Sequence, residues 1–397
     1  LNSLYITYDG LLDPLGQSQV LPYVESLISA GHSFTLVSYE KESRSDEEIL
    51  TMKKKLNVAQ IEWVPLLFVT GKFATVKKII TGIITLWKIK LNVKPDVVHL
   101  RGFMSVLIYR ISLCSTPYIY DFRSFTVGEW MELGKLREHS LFYNLLKIID
   151  QKAVQSASAV VVLEKSAELL LRQRYNVPDV PLKVIRTCTD LSLYQPLKDS
   201  RITSPGELMR FVCLGGARPP VYRPDLAIMF VSLLLKHDVD CHLDFINERD
   251  HDDIFIAAEK VSFPIEKLSV RSLDHQLIAQ ELYNYDCGLI FIQPTVLRRV
   301  CSPTKLGEYL AAGLPVVALK GIAVLDDLSI NSTCVAVVDH DQLSGAMGVE
   351  EVHNLIHFIK RPGVDLACQA LAAQEFSLDM AGRLYTELYA EIENNLS

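Results

Sequence analysis

"CSPTKLGEYLAAGLPVVA", residues 301–318, is the stretch on which the fold turns. Ser, Pro, Thr, Lys and Glu crowd the start of an apolar helix that stops at Gly-x-Pro and runs straight into a β-branched strand. Ser302 stands where an N-cap belongs, with Pro303 at the first helical position, where its missing N–H costs nothing. The unbonded amides of that first turn, with the helix dipole, form an anion site. Lys305 adds a mobile positive charge, and Thr304 and Leu306 bring their amides to the same turn. Glu308, one turn on, is a carboxylate suited to accept from both hydroxyls of a ribose. Together these groups spell a nucleotide diphosphate. The plain alternative is a capped helix with a solvated Lys and Glu.

Working outward, the same strand–helix rhythm fills the chain. Short apolar, β-branched runs occur at 4–9, 33–39, 95–100, 117–122 and 157–163, with helical periodicity between them. A second set follows at 209–215, 241–246, 268–273, 287–292, 315–319 and 334–338. Strands that read apolar on both faces, alternating with helices, imply parallel doubly wound sheets. The polar, Pro-containing stretch 190–206 reads as a linker. The expected architecture is α/β, with two Rossmann-like domains, 1–195 and 206–378, facing across a cleft. The final helix, 379–397, is a candidate to pack back on the first domain. Ligands of such sheets bind beyond strand C-termini, so the site residues are expected in loops there.

Composition agrees with an enzyme. The 397 residues are 49% hydrophobic and 22% charged, with formal net charge −7, which excludes a dedicated nucleic-acid binder. Eight scattered cysteines without C-x-x-C spacing read as reduced thiols, not as a zinc site or disulfide framework. The opening "LNSLYITYDGLL" is strand-like and has no signal-peptide pattern, and the longest apolar run, 79–87, is too short to span a bilayer. A cytoplasmic protein is expected.

The segment "SPTKLGEYLAAGLPVVA" resembles the signature of the GT-B glycosyltransferases, specifically family 4. The resemblance spans nearly the whole chain: "DGLLDPLGQSQVLPYVESLISAGHSFTLVS" (9–38), "DVVHLRG" (96–102), "PYIYDFRSFTVGEW" (117–130), "KVIRTCTDLSLYQP" (183–196) and "FVCLGGARPPVYRPD" (211–225). It implies a retaining transferase that moves a sugar from a nucleotide diphosphate sugar to a glycan or lipid-linked acceptor in cell-surface polysaccharide synthesis, without a metal or other cofactor. It implies Gly16, Arg218, Arg223, Ser302, Thr304, Lys305, Leu306 and Glu308 at the donor, Asp121, Arg123 and His99 as catalytic groups, and Arg101 and Glu129 at the acceptor. Three departures stand out. The first carboxylate of the family's E-x7-E is Val300; the usual Arg and Lys after the domain-opening strand fall on Ala217 and Arg223, with Arg218 beside them; and in "DFRSFTVGEW" the pattern's Gly is Ser124 and its second Asp is Gly128. Two alternatives stay open: a sugar-nucleotide epimerase on the same fold, and a non-catalytic nucleotide-binding scaffold, which Val300 favours.

Other groups are weighed on their own residues. Gly16 lies in the turn after the first strand, where backbone can approach a phosphate. Asp121 and Arg123 end a strand; their plain reading is a mutual ion pair, with Glu129 able to join either. Residues 71–94 hold six Lys and no acid. Phe73, Val76, Ile80, Ile83, Trp87 and Leu91 share one helical face; Lys78, Thr81, Thr85 and Lys88 share another. That pattern suits either an anionic membrane surface or a helix packed on the first sheet with a solvated basic edge. The acidic "HDD" at 251–253 reads as a solvated loop, and no D-x-D stands where a metal–diphosphate site would need it.

Overall fold

The computed structural model describes residues 1–71, 73–177, 180–195 and 208–396. They form two compact units, Leu1–Arg186 with Leu378–Ser397, and Thr187–Ser377. The division falls ahead of the polar stretch expected as a linker, of which 196–206 lie outside the described residues. Thr187 and Thr189 are tied to the second unit: Thr187 Oγ1 donates to the Ser302 carbonyl at 2.8 Å, and Thr189 N–H donates to the Phe376 carbonyl at 2.7 Å.

Unit 1 begins with β1 (Asn2–Thr7), α1 (Pro14–Gln19), α2 (Leu21–Ser29), β2 (Ser33–Lys41), α3 (Asp46–Val58), β3 (Ile61–Phe68) and α4 (Ala74–Asn92). It continues through β4 (Val97–Arg101), α5 (Gly102–Ile111), β5 (Tyr118–Asp121), α6 (Thr126–Glu132), α7 (Leu141–Gln155), β6 (Ala159–Val162), α8 (Lys165–Tyr175) and β7 (Leu182–Val184). The strands form one parallel sheet in the order β3-β2-β1-β4-β5-β6-β7. Two helices follow β1: Pro22 has no N–H to continue the first, and the chain breaks at Val20 (φ −123°). β3 and β7, absent from the sequence reading, are the edges. Pro65 sits within β3, where one side of the strand needs no ladder partner.

Unit 2 comprises β8 (Met209–Leu214), α9 (Pro224–Lys236), β9 (Cys241–Ile246), α10 (His251–Lys260), β10 (Leu268–Arg271), α11 (His275–Glu281) and β11 (Cys287–Ile290). Then come α12 (Thr304–Ala311), β12 (Val316–Leu319), α13 (Ala323–Asn331), β13 (Val335–Val338), α14 (Val349–Ile359) and α15 (Val364–Glu375). Its parallel sheet runs β10-β9-β8-β11-β12-β13. The "HDD" tract, expected as a loop, is the first turn of α10, where carboxylates complement the helix dipole. All eight cysteines are free.

The chain returns to unit 1 with α16 (Leu378–Leu396), which packs on α2. A side chain at Gly382 would collide with Ser26, so the two helices approach at backbone distance. Both sheets reverse their strand order once, between β1 and β4 and between β8 and β11. Beyond the strand C-termini at such a reversal the flanking loops diverge and leave a crevice.

Candidate functional site

In unit 1 the polar groups gather at the β1/β4 reversal. Pairing sets Tyr5 beside His99, Thr7 beside Arg101, and Arg101 beside Asp121. Side chains two residues apart share a face, so Tyr5, His99, Arg101 and Asp121 all project from one side of the sheet. Asp121 takes Arg101 NH1 on one oxygen and Arg123 NH1 on the other, each at 3.2 Å. His99 Nε2 is 3.7 Å from Asp121, and its Nδ1 is 3.0 Å from the Tyr389 hydroxyl. The Tyr385 hydroxyl reaches Asp121 at 3.4 Å, so α16 supplies two tyrosines to the cluster.

The groups expected to be catalytic are enclosed by protein: Asp121 is 0% exposed and His99 1%. Burial alone would raise the Asp121 carboxyl, but Arg123, His99 and Arg101 outweigh it and hold it well below the usual range. Burial pushes His99 down, toward neutral imidazole. Arg101, expected at the acceptor, is likewise buried; it reaches outward by donating from Nε to Asp9 at 3.2 Å. Asp9, in the loop after β1, keeps 38% of its side chain exposed. Arg123 keeps 15%. Asp9 is thus the outer member of the chain Asp9–Arg101–Asp121–Arg123, and sequence reasoning missed it because one Asp in a loop carries no pattern. Glu129 accepts from Ser124 Oγ at 3.3 Å.

Gly16 lies inside α1, buried, and a Cβ there would stand 2.7 Å from Leu11 Cα. The glycine is needed so that α1 can pack on the loop at Gly10 and Leu11. Glu40, buried at the end of β2, fastens that loop by accepting from Leu11 N–H at 2.7 Å and Leu12 N–H at 3.1 Å.

In unit 2 the cations gather at the β8/β11 reversal. The helix α12 begins at Thr304, one residue later than expected, and Pro303 takes the N-cap position. Ser302 does not cap it; its hydroxyl bonds Thr187 Oγ1 at 2.8 Å. Lys305 is not mobile. Its ammonium donates to the Leu214 carbonyl at the end of β8 and lies 4.9 Å from the Tyr222 ring centroid, and burial lowers its pKa. The Leu306 side chain is 0% exposed and belongs to the core, so it offers only backbone. Glu308 is half-buried near Tyr194.

The arginines divide. Arg223, expected at the leaving group, is committed to Asp225 at 2.7 Å and to Gln293. Arg218 is exposed, while Ala217, where the family pattern has Arg, is core. Arg298, which sequence reasoning passed over, is 6% exposed, and its guanidinium pairs with no carboxylate among the described residues. Burial raises the Tyr222 hydroxyl, and the positive charge of Arg298 acts on it in the opposite direction. A buried arginine without a counter-ion, on the same tyrosine as Lys305, leaves positive charge to be neutralised by an anion. The adjacent Arg299 is exposed. Val300 is buried. Among the described residues, no group of three or more His, Cys, Asp or Glu is placed to hold a metal ion.

A family model described as Glycosyltransferase Family 4 matches residues 18–193, ending before the SPTKL segment. No curated protein sequence matches the chain significantly. Solved structures share its fold along its whole length. The sucrose-phosphate synthase of Thermosynechococcus elongatus is similar at TM-score 0.73, with 11% identity over 99% of each chain. A glycosyltransferase from Rickettsia africae is similar at TM-score 0.67, with 15% identity over 99% of each chain. HepE of Anabaena, solved in complex with UDP-glucose, is similar at TM-score 0.64, with 14% identity over 98% of this chain and 99% of that one. At these identities the likeness is one of fold. The chain has two parallel-sheet α/β domains of the GT-B type.

Proposed function

We propose that the chain is a glycosyltransferase that takes a nucleotide diphosphate sugar on unit 2 and an acceptor hydroxyl on unit 1. The observation that carries this reading is the pair of cations about Tyr222, Lys305 tethered to β8 and Arg298 buried without a counter-ion, beside the first turn of α12. When the sugar–phosphate bond breaks, negative charge grows on the diphosphate. Fixed cations and helix amides stabilise that charge without reorganising, which lowers the barrier more than it tightens substrate binding. Glu308 accepts from the ribose hydroxyls, and exposed Arg218 contributes from the loop after β8. Arg223, already paired, shapes that loop.

On unit 1, Asp9 and Arg123 are the groups that meet the acceptor, held by the buried Asp121 and by Arg101. Asp121 cannot serve as a covalent nucleophile, being enclosed and paired to two arginines. That excludes a double displacement through Asp121; the retaining reaction proposed has the acceptor, a glycan or lipid-linked glycan of cell-surface polysaccharide synthesis, attack on the side the diphosphate leaves.

The test is nucleotide release from a panel of UDP- and GDP-sugars, with and without lipid-linked acceptors. Acceptor-dependent release supports transfer. Acceptor-independent release of free sugar favours the epimerase reading, which the fold also accommodates: a UDP-N-acetylglucosamine 2-epimerase is similar at TM-score 0.57 with 11% identity over 99% of this chain and 96% of that one. Nucleotide binding with no turnover on any donor leaves the scaffold reading.

A further inference from the structure

The helix α4 carries its apolar residues on the outside. The side packed against the protein is Lys78, Gly82, Leu86 and Ile89. Facing solvent at helical spacing are Phe73, Val76, Ile80, Ile84, Trp87 and Leu91, between 45% and 80% exposed. The sequence pattern found this stripe but gave Lys78 to the lipid-facing side. In fact the Lys78 ammonium is turned inward, 3.5 Å from the Phe68 ring centroid and 5.3 Å from that of Tyr8.

A second helix repeats the arrangement. α7 buries Leu146, Asp150, Ala153 and Val154 and exposes Leu141, Phe142, Leu145 and Ile148 by 52% to 90%. Both helices pack on α5, one of them tied to its end by the Trp87 indole, which donates to the Ser112 carbonyl at 3.0 Å. Beside that bond Leu113 is 87% exposed. Exposed apolar side chains gathered in this number mark a surface with an occupant.

The charge around them identifies the occupant. Lys77, Lys88, Lys90 and Lys94 line the outward side of this region, with Arg110, Lys147 and Lys152 on the neighbouring helices, all exposed. Residues 71–94 contain no Asp or Glu, and Asp150 of α7 is buried. A second copy of the chain would set lysine rows against lysine rows. An anionic bilayer meets both features, since acyl chains take the apolar stripe and headgroup phosphates take the lysines. No helix among the described residues is long and apolar enough to cross a membrane.

We infer that the outer faces of α4 and α7 form a docking surface for an anionic lipid bilayer, lying on the membrane and not spanning it. This inference does not depend on the transferase reading, and its test uses no activity.

The full chain is sedimented with vesicles of equimolar phosphatidylglycerol and phosphatidylcholine, and with phosphatidylcholine alone. Binding is expected to the anionic vesicles and to weaken as salt rises. The double variant Phe73→Ser/Leu91→Ser and the double variant Lys88→Glu/Lys94→Glu each lose about tenfold or more in vesicle affinity. Lys78→Gln leaves vesicle affinity unchanged, because that ammonium faces the protein. Light scattering without lipid supplies the competing outcome. A concentration-dependent dimer that the Phe73→Ser/Leu91→Ser variant abolishes, with no vesicle binding, would overturn the proposal in favour of a second copy. Equal binding to neutral and anionic vesicles, or none to either by the unaltered chain, also overturns it.

Discussion

Replacing Asp150 by Asn should stabilise unit 1 at neutral pH, by an amount the structure sets. Asp150 is 0% exposed on α7, and its two oxygens accept from Tyr120 at 2.8 Å and Tyr175 at 2.6 Å. Burial raises the carboxyl and the two hydroxyls only partly offset this, leaving it at about 6 against an ordinary 3.8. Because the folded value is the higher one, the fold favours the neutral acid. The favourable contribution is complete below pH 3.8 and is lost as pH rises through 6. At 1.36 kcal/mol per pH unit, the ionised form costs the native state about 3 kcal/mol above that range. Asn presents one acceptor and one donor, as the protonated acid does, and does not titrate.

The stability advantage of Asp150→Asn over wild type should therefore shrink by about 2.4 kcal/mol between about pH 7.5 and about pH 4. His99 and other groups that titrate in this window do so in both proteins and cancel in the difference. Asp121, held low, loses its contribution only below about pH 3.8. The assay is urea unfolding followed by tryptophan fluorescence. Trp63, Trp87 and Trp130 all belong to unit 1, so the signal reports that unit whether or not the other unfolds with it. A difference between the two proteins that stays constant across the window would refute the reasoning.

At the donor site, Lys305→Ala, Glu308→Ala and Arg298→Gln should each weaken UDP or GDP binding by about 1.5–3 kcal/mol in calorimetric titration, while thermal unfolding confirms the fold. Unchanged affinity in all three would remove the cation pair as the nucleotide site. Asp9→Asn and Arg123→Ala should leave nucleotide affinity near normal and lower kcat with the true acceptor by about tenfold or more, since they place the hydroxyl and not the donor. Asp121→Asn should do the same and also cost about 3–5 kcal/mol of unit 1 stability, because Arg101 and Arg123 lose their shared counter-charge. If Asp121→Asn unfolds no more easily than wild type, the buried cluster is not holding the strand ends.

Much of this was legible from local pattern. Strands β1, β2, β4 to β6 and β8 to β13 announced themselves as apolar runs bounded by turns. β3 did not, because Pro65 argues against a strand wherever both sides need ladder bonds, and only position at the sheet edge removes the objection. The start of α12 could be read as a candidate anion site because helix, cation and carboxylate are close in sequence. What Lys305 touches was not, since Leu214 and Tyr222 are far from it along the chain. The same limit hid Tyr385 and Tyr389, which complete the Asp121 cluster from the far end of the sequence. In α4, periodicity separated two faces but could not say which one the protein keeps, so Lys78 was placed on the wrong side.

The return of α16 to unit 1 carries a consequence for biosynthesis. Tyr5, His99 and Phe34 lie beneath Tyr389, and Tyr23 lies against Tyr385. Until those tyrosines leave the ribosome, the sheet that emerged first lacks the rings that cover His99 and Phe34, and Asp121 is short of a neighbour. Unit 2 emerges entire before that happens. The nascent first half must therefore wait, in a state open to chaperones, for the last twenty or so residues of the chain. A released chain ending at Ser377 should hold a protease-resistant Thr187–Ser377 joined to a protease-sensitive Leu1–Arg186, an order of maturation opposite to the order of synthesis.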